Sequence, residues 1–123
     1  MNNSMYTRKN EMRKERRQQK VDAGLVKERF PEVAAIVVNM TYNQRGLQKS
    51  LPRVVNFFPD SSALFIIDCL NKDCVDGGFD LTQIITATII DRRKSVKGDL
   101  CCEGEGPSAG HSTIAYEVSI RYV

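Results

Sequence analysis

Polar and apolar positions follow two different periods along this chain, and the period changes mark the elements. Residues 113–122 alternate without a fault: Ile114, Tyr116, Val118, Ile120 and Tyr122 fall on one side, and Ala115, Glu117, Ser119 and Arg121 on the other. A period of two is that of a half-buried strand. Residues 33–42 alternate in the same way, with Ala34, Ile36, Val38, Met40 and Tyr42 opposite Ala35, Val37, Asn39 and Thr41. A second strand is predicted over 51–58. Pro52 places it at a sheet edge or marks a strand start, and the turn residues Pro59-Asp60-Ser61-Ser62 end it. Residues 63–70 (ALFIIDCL) are apolar on both sides until Asp68, the pattern of a central strand. Residues 96–102 put Val96, Gly98, Leu100 and Cys102 on one side and predict a further strand.

Two segments carry the helical period. Over residues 80–93 (DLTQIITATIIDRR), Leu81, Ile84, Ile85, Thr88 and Ile89 form one continuous stripe. Asp80 stands where it can cap the N-terminus, Gln83 can complete a variant capping box, and Arg92, Arg93 and Lys94 suit the C-terminal end of the dipole. Residues 11–30 are also compatible with helix: Val21, Leu25, Val26 and Phe30 lie near one face, Gly24 weakens the middle, and Pro31 stops the winding. The first dozen residues lack periodicity and are expected to fray. Turns or loops are expected at 43–50, 71–78 and 103–111. The element order is α-β-β-β-α-β-β. It predicts an α+β fold with an approximately five-stranded mixed sheet, a βαβ crossover and a C-terminal β-hairpin. The expected organisation is a basic N-terminal arm over 1–30 and one domain over 31–123, without internal repeats.

Composition narrows the class. A chain of 123 residues with 41% hydrophobic content can build one core, and with nine aromatics and no Trp its aliphatics must supply most of it. The longest apolar run, VAAIVV at 33–38, is far short of the roughly 20 residues that cross a bilayer. The first 20 residues are polar and basic with no apolar run behind them, so the expected compartment is the cytosol.

The formal charge of +3 conceals an asymmetry. Residues 1–30 hold nine Lys/Arg against four acids, a net +5, while the remainder holds nine against eleven, a net −2. Clustered cations attract phosphates and release counterions, which an even spread of +3 does not. Arg8, Lys9, Arg13, Lys14, Arg16, Arg17 and Lys20 are therefore the candidate contacts for nucleic acid or an acidic partner. The competing reading is a solvated helix in which Glu11 and Glu15 make weak ion pairs with basic neighbours three and four residues away.

Four cysteines and one histidine carry the remaining chemistry. A parallel crossover from the third strand through the helix to the fourth brings both strand ends to one edge. Cys69, Cys74, Cys102 and His111 then converge there, with Cys101 as a substitute for Cys102. Cys101 shares its parity with Lys97 and Asp99 on the polar side. A Cys3His set suits tetrahedral zinc, and the spacing has a general resemblance to zinc-ribbon-like small domains that covers the ligands alone. Reduced free thiols and a redox or disulfide role for Cys69, Cys74 and Cys102 are the alternatives. Catalysis by a thiolate is disfavoured by Asp68, Asp73, Asp76, Glu103 and Glu105 at the same edge, since neighbouring acids raise a thiol's pKa. No Walker A, GxGxxG, GxSxG or HExxH pattern is present. The favoured function is a non-enzymatic binding module stabilised by structural zinc, with the basic arm as its contact surface. The rivals are a thiol-based redox protein or enzyme, and a metal-free protein-interaction subunit.

Overall fold

The computed structural model describes residues 3–44, 50–68, 78–102 and 112–123, with backbone alone at 3–10, 12 and 44. Helices α1 (Asn3–Asp22) and α2 (Val26–Arg29) are followed by strands β1 (Val33–Gln44), β2 (Leu51–Phe57), β3 (Ile66–Ile67) and β4 (Phe79–Asp80). Helix α3 (Thr82–Ile90) and strands β5 (Ser95–Cys101) and β6 (Ser112–Tyr122) complete the order. The fold is α+β, as its periodicities predict. β2-β1-β6-β5 make a four-stranded antiparallel sheet and β3-β4 a separate two-stranded one.

The expected five-stranded mixed sheet and its βαβ crossover are not formed. Of the predicted strand over 63–70, the described residues 63–68 supply the two-residue β3, which pairs with β4 and not with β5. Burial here is alternate: Ala63, Phe65 and Ile67 are core residues of the layer facing the main sheet, while Leu64 and Ile66 between them are half-buried. A run of this length does not distinguish a central strand from an irregular buried segment. The C-terminal hairpin is present, with Lys97 opposite Glu117 and Gly98 opposite Tyr116.

One face of the sheet is the core face. Ile36, Val38, Met40 and Tyr42 of β1 and Ile114, Tyr116, Val118 and Ile120 of β6 are buried on it. The alternation expected for β1 slips at its start: an irregularity between Val33 and Ala35 buries Val33 and leaves Ala34 half-buried. Opposite lie Phe65, Ile67, Phe79 and the apolar stripe of α3. Leu81, Ile85, Thr88 and Ile89 are buried as the stripe requires, and Thr88 Oγ1 returns its hydroxyl hydrogen to the Ile84 carbonyl at 2.7 Å. The layers are locked by ring contacts, Phe57 edge-on to Phe65 with centroids 5.0 Å apart and Tyr42 edge-on to Phe79 at 6.4 Å.

α3 starts two residues later than its sequence suggests. The expected capping box is not formed: Leu81 is the N-cap, without a side-chain cap bond, and Asp80 one residue earlier accepts the Thr82 N–H at 2.9 Å in a local turn, while the Phe65 N–H donates to Thr82 Oγ1 at 3.0 Å. It ends in a Schellman motif: Arg92 N–H reaches the Ile89 carbonyl and Arg93 N–H the Thr88 carbonyl, both at 3.0 Å, with Arg92 at φ 57°. The Tyr122 hydroxyl donates to the Arg93 carbonyl at 2.7 Å and pins this end to β6.

The N-terminal region is helical from Asn3, not frayed through its first dozen residues, and the expected single helix over 11–30 is divided at Gly24. Gly24 has φ 76°, the left-handed conformation that ends helices, so α1 stops at Asp22. Val21 is consequently 73% exposed, while Val26 and Phe30, on the redirected chain, enter the core. The junction is held by backbone bonds from Ala63 N–H to Gly24 O at 2.8 Å and Val26 N–H to Ser61 O at 2.9 Å. Ser62 Oγ adds a bond to the Lys20 carbonyl at 2.7 Å.

Candidate functional site

α1 is polar on every described side. Glu11, Arg13, Lys14, Glu15, Arg17, Gln18, Gln19, Lys20, Val21 and Asp22 are all exposed, and only Arg16 is half-buried. A helix with no apolar stripe gains little from packing, so its side chains are available for other contacts. They are sorted by charge. At roughly 100° per residue, Arg13, Arg16, Arg17 and Lys20 lie within an arc of about 100°, and Glu11, Glu15, Gln18 and Asp22 occupy about 60° on the opposite side. Gln18 Nε2 donates to Asp22 Oδ1 at 2.8 Å within that second group. Lys9, four residues before Arg13, continues the basic spacing in the sequence.

This sorting opposes helix stability. Arg13 and Arg17, like Arg16 and Lys20, are like charges four residues apart, each pair costing about 0.2–0.5 kcal/mol. The ion pairs expected for Glu11 and Glu15 are not made with any described side chain. The described ion pairs are Arg16–Asp68, with Nη1 to Oδ1 at 3.4 Å, and Lys27–Asp60 at 2.8 Å. Arg16 therefore leans on the domain while Arg13, Arg17 and Lys20 stay exposed. The Arg17 Nε–H donates to the Arg13 carbonyl at 3.4 Å, which holds its side chain along the helix. Such a stripe spans about 10 Å of helix axis between Arg13 and Lys20. It suits a row of phosphates, for which the opposing acidic side would be unsuitable. The residues were legible in the sequence as a cluster of cations, and the helix register of α1 aligns those from Lys9 to Lys20 at spacings of four, three, one and three.

Of the predicted metal ligands, Cys69, Cys74 and His111 lie outside the described residues, as do Asp73, Asp76, Glu103 and Glu105 and the body of the three predicted turns. Cys101 and Cys102 are placed on opposite faces: Cys101 is exposed beside Thr113, and Cys102 is 4% exposed, its N–H bonded to the Ser112 carbonyl at 2.9 Å. The parity argument for Cys102 as the inward residue agrees with this placement. Among the described residues no three His, Cys, Asp or Glu side chains form a group able to hold a metal.

The route by which these residues were expected to converge needs correction, because β3 and β5 share no sheet. The described flanks of the intervening segments nevertheless stand at one end of the fold. Gln44 pairs with Ser112, Ser112 bonds to Cys102, Tyr42 pairs with Ile114, and the Tyr42 ring meets Phe79 beside Gly78. β1–β6 pairing and the Tyr42–Phe79 ring contact, not a crossover, bring these flanking residues together.

No protein-family model, curated protein or solved structure matches the chain. Among the described residues no helix is long and apolar enough to cross a membrane.

Proposed function

We propose that this chain is a non-enzymatic nucleic-acid-binding module whose contact surface is α1. The observation that carries this reading is the basic stripe Arg13, Arg16, Arg17 and Lys20, with acids segregated to the opposite side. An exposed helix presenting one charged face can lie along a phosphate backbone or enter the major groove, which admits an α-helix. Affinity then arises from counterion release and needs no base-specific contact. Lys14 lies off the stripe and adds field rather than a fixed contact, and Arg8 and Lys9 extend the charge toward the N-terminus.

Charge reversal tests the reading. Fluorescence anisotropy with a labelled mixed-sequence duplex and a single strand should show binding by the full chain. Arg13→Glu/Arg17→Glu/Lys20→Glu should weaken it by at least about a hundredfold near 0.1 M salt. Equal binding by the variant refutes it. Displacement by polyglutamate at matched charge would assign the surface to an acidic polypeptide instead.

The module's stabilising zinc remains part of this proposal, with Cys69, Cys74, Cys102 and His111 as ligands and Cys101 as the substitute. Its support is the common location of the flanking residues and the inward position of Cys102. Elemental analysis of protein purified without added metal should return one zinc per chain, lost in Cys74→Ser and in His111→Ala. Less than about a tenth of an equivalent refutes it.

A further inference from the structure

The strand order leaves β5 at a free edge of the main sheet, its outer side unpaired among the described residues. Which of its backbone groups face outward follows from two hydrogen bonds at its ends. Cys102 N–H donates to Ser112 O, and Ile120 N–H donates to Lys94 O at 2.7 Å. Directly opposed antiparallel pairs alternate between bonded and non-bonded, and both of these bonded pairs involve even-numbered residues of the β5 ladder. Val96, Gly98 and Leu100 therefore bond to β6, and the N–H and C=O groups of Ser95, Lys97, Asp99 and Cys101 point away from it.

The side chains on this edge are self-complementary about Gly98. A second copy of β5, laid antiparallel with the two-fold axis at Gly98, puts Lys97 opposite Asp99 of the second copy and Asp99 opposite its Lys97. Lys97 and Asp99 are both exposed on the outer face. On the core face Val96 meets Leu100 of the second copy, and the reverse, and both are half-buried in the single chain at the margin of the core. The outward backbone groups fall into bonded positions in this register: Lys97 with Asp99 and Ser95 with Cys101, about eight bonds in all by the alternation rule. The charge row Glu117–Lys97 of one chain continues into Asp99 of the next, because Glu117 is already opposite Lys97 in the β5–β6 register.

The other free edge lacks this property. β2 contains Arg53 without an acid, and Pro52 removes a donor. A lysine in an edge strand ordinarily prevents edge pairing. Here Asp99, two residues on, converts it into a register mark.

We infer that the chain forms a two-fold homodimer through β5, making one continuous eight-stranded antiparallel sheet. The partner is a second copy of this chain, and the contact is independent of α1 and of any metal.

The test is the solution mass of the full chain by light scattering and sedimentation equilibrium, with charge-swapped variants at positions exposed in the single chain. Wild type should give twice 13.9 kDa. Lys97→Asp and Asp99→Lys each set four like charges across the axis, and each should weaken dimerisation at least about tenfold. Lys97→Asp/Asp99→Lys should restore it, and mixing the two single variants should give a heterodimer. Circular dichroism melts confirm that the single variants are folded. A wild type monomeric up to about 1 mM overturns the inference, and so does a dimer indifferent to the swaps.

Discussion

The pairing of Gly98 with Tyr116 gives a sharp test of the sheet register. Gly98 lies directly opposite Tyr116, whose ring covers it. A Cβ at position 98 would stand 2.7 Å from Tyr116 Oη, 3.0 Å from Cζ and 3.4 Å from Cε2. Ordinary carbon contacts begin near 3.5 Å, so the ring must retreat by about half an ångström or more. Tyr116 is 8% exposed and belongs to the core cluster, so it cannot move freely. Overpacking of this kind costs about 1–3 kcal/mol, and replacing a strand glycine by alanine returns about 0.5 kcal/mol. Gly98→Ala should therefore lose about 1–2 kcal/mol, a Tm decrease of roughly 4–8 °C. In a Tyr116→Leu background the same change should be neutral or slightly stabilising, because the ring atoms are gone. Urea unfolding of all four proteins, repeated at several protein concentrations to separate folding from association, measures the coupling. A Gly98→Ala protein as stable as wild type, or one equally destabilised in both backgrounds, refutes the argument.

Three further outcomes follow from the same packing. Iodoacetamide should alkylate exposed Cys101 in the native protein and reach Cys102 only as the domain unfolds, which fragmentation mass spectrometry resolves; equal labelling would contradict the opposite-face placement. Tyr122→Phe removes the bond to the Arg93 carbonyl and should cost about 1 kcal/mol in urea unfolding. Stability should also fall in alkali. Burial raises the phenol pKa of Tyr116, with Asp99 adding to it, and burial likewise raises that of Tyr122 against the opposing pull of Arg92. A raised folded pKa means the stabilisation is complete below the unfolded value near 10 and is lost as pH rises through the folded value. Tyr116→Phe and Tyr122→Phe should each flatten that loss, and an unchanged alkaline slope in both would contradict it.

The legible parts of this fold are those where one period governs a whole segment. The unbroken alternation of β6 and the stripe of Leu81, Ile84, Ile85, Thr88 and Ile89 need a single buried face each, and both faces are buried except for half-buried Ile84 and Tyr122 at their margins. Residues 63–68 misled because an apolar run reads as a central strand, whereas here only Ala63, Phe65 and Ile67 are buried and Leu64 and Ile66 stay half-buried. In the sequence Gly24 only weakens a single helix over 11–30, and it is the left-handed backbone there that divides it, sending Val21 outward while Val26 goes in. Val33 replaced Ala34 in the core because a strand irregularity shifts parity, which alternation alone does not reveal. The basic residues of the arm were legible as a list. Their arrangement as one face of α1, and the self-complementary Lys97-Gly98-Asp99, required the helix register and the strand order respectively.

The central claim is that α1 holds a phosphate backbone, and the most direct measurement is the salt dependence of binding to a duplex. Three free contacts from Arg13, Arg17 and Lys20, with Arg16 held on Asp68, predict a slope of log K against log salt of about −2.7, and Arg13→Gln/Arg17→Gln/Lys20→Gln should bring it close to zero. A slope unchanged by that substitution, or no binding at about 50 mM salt, would contradict the account.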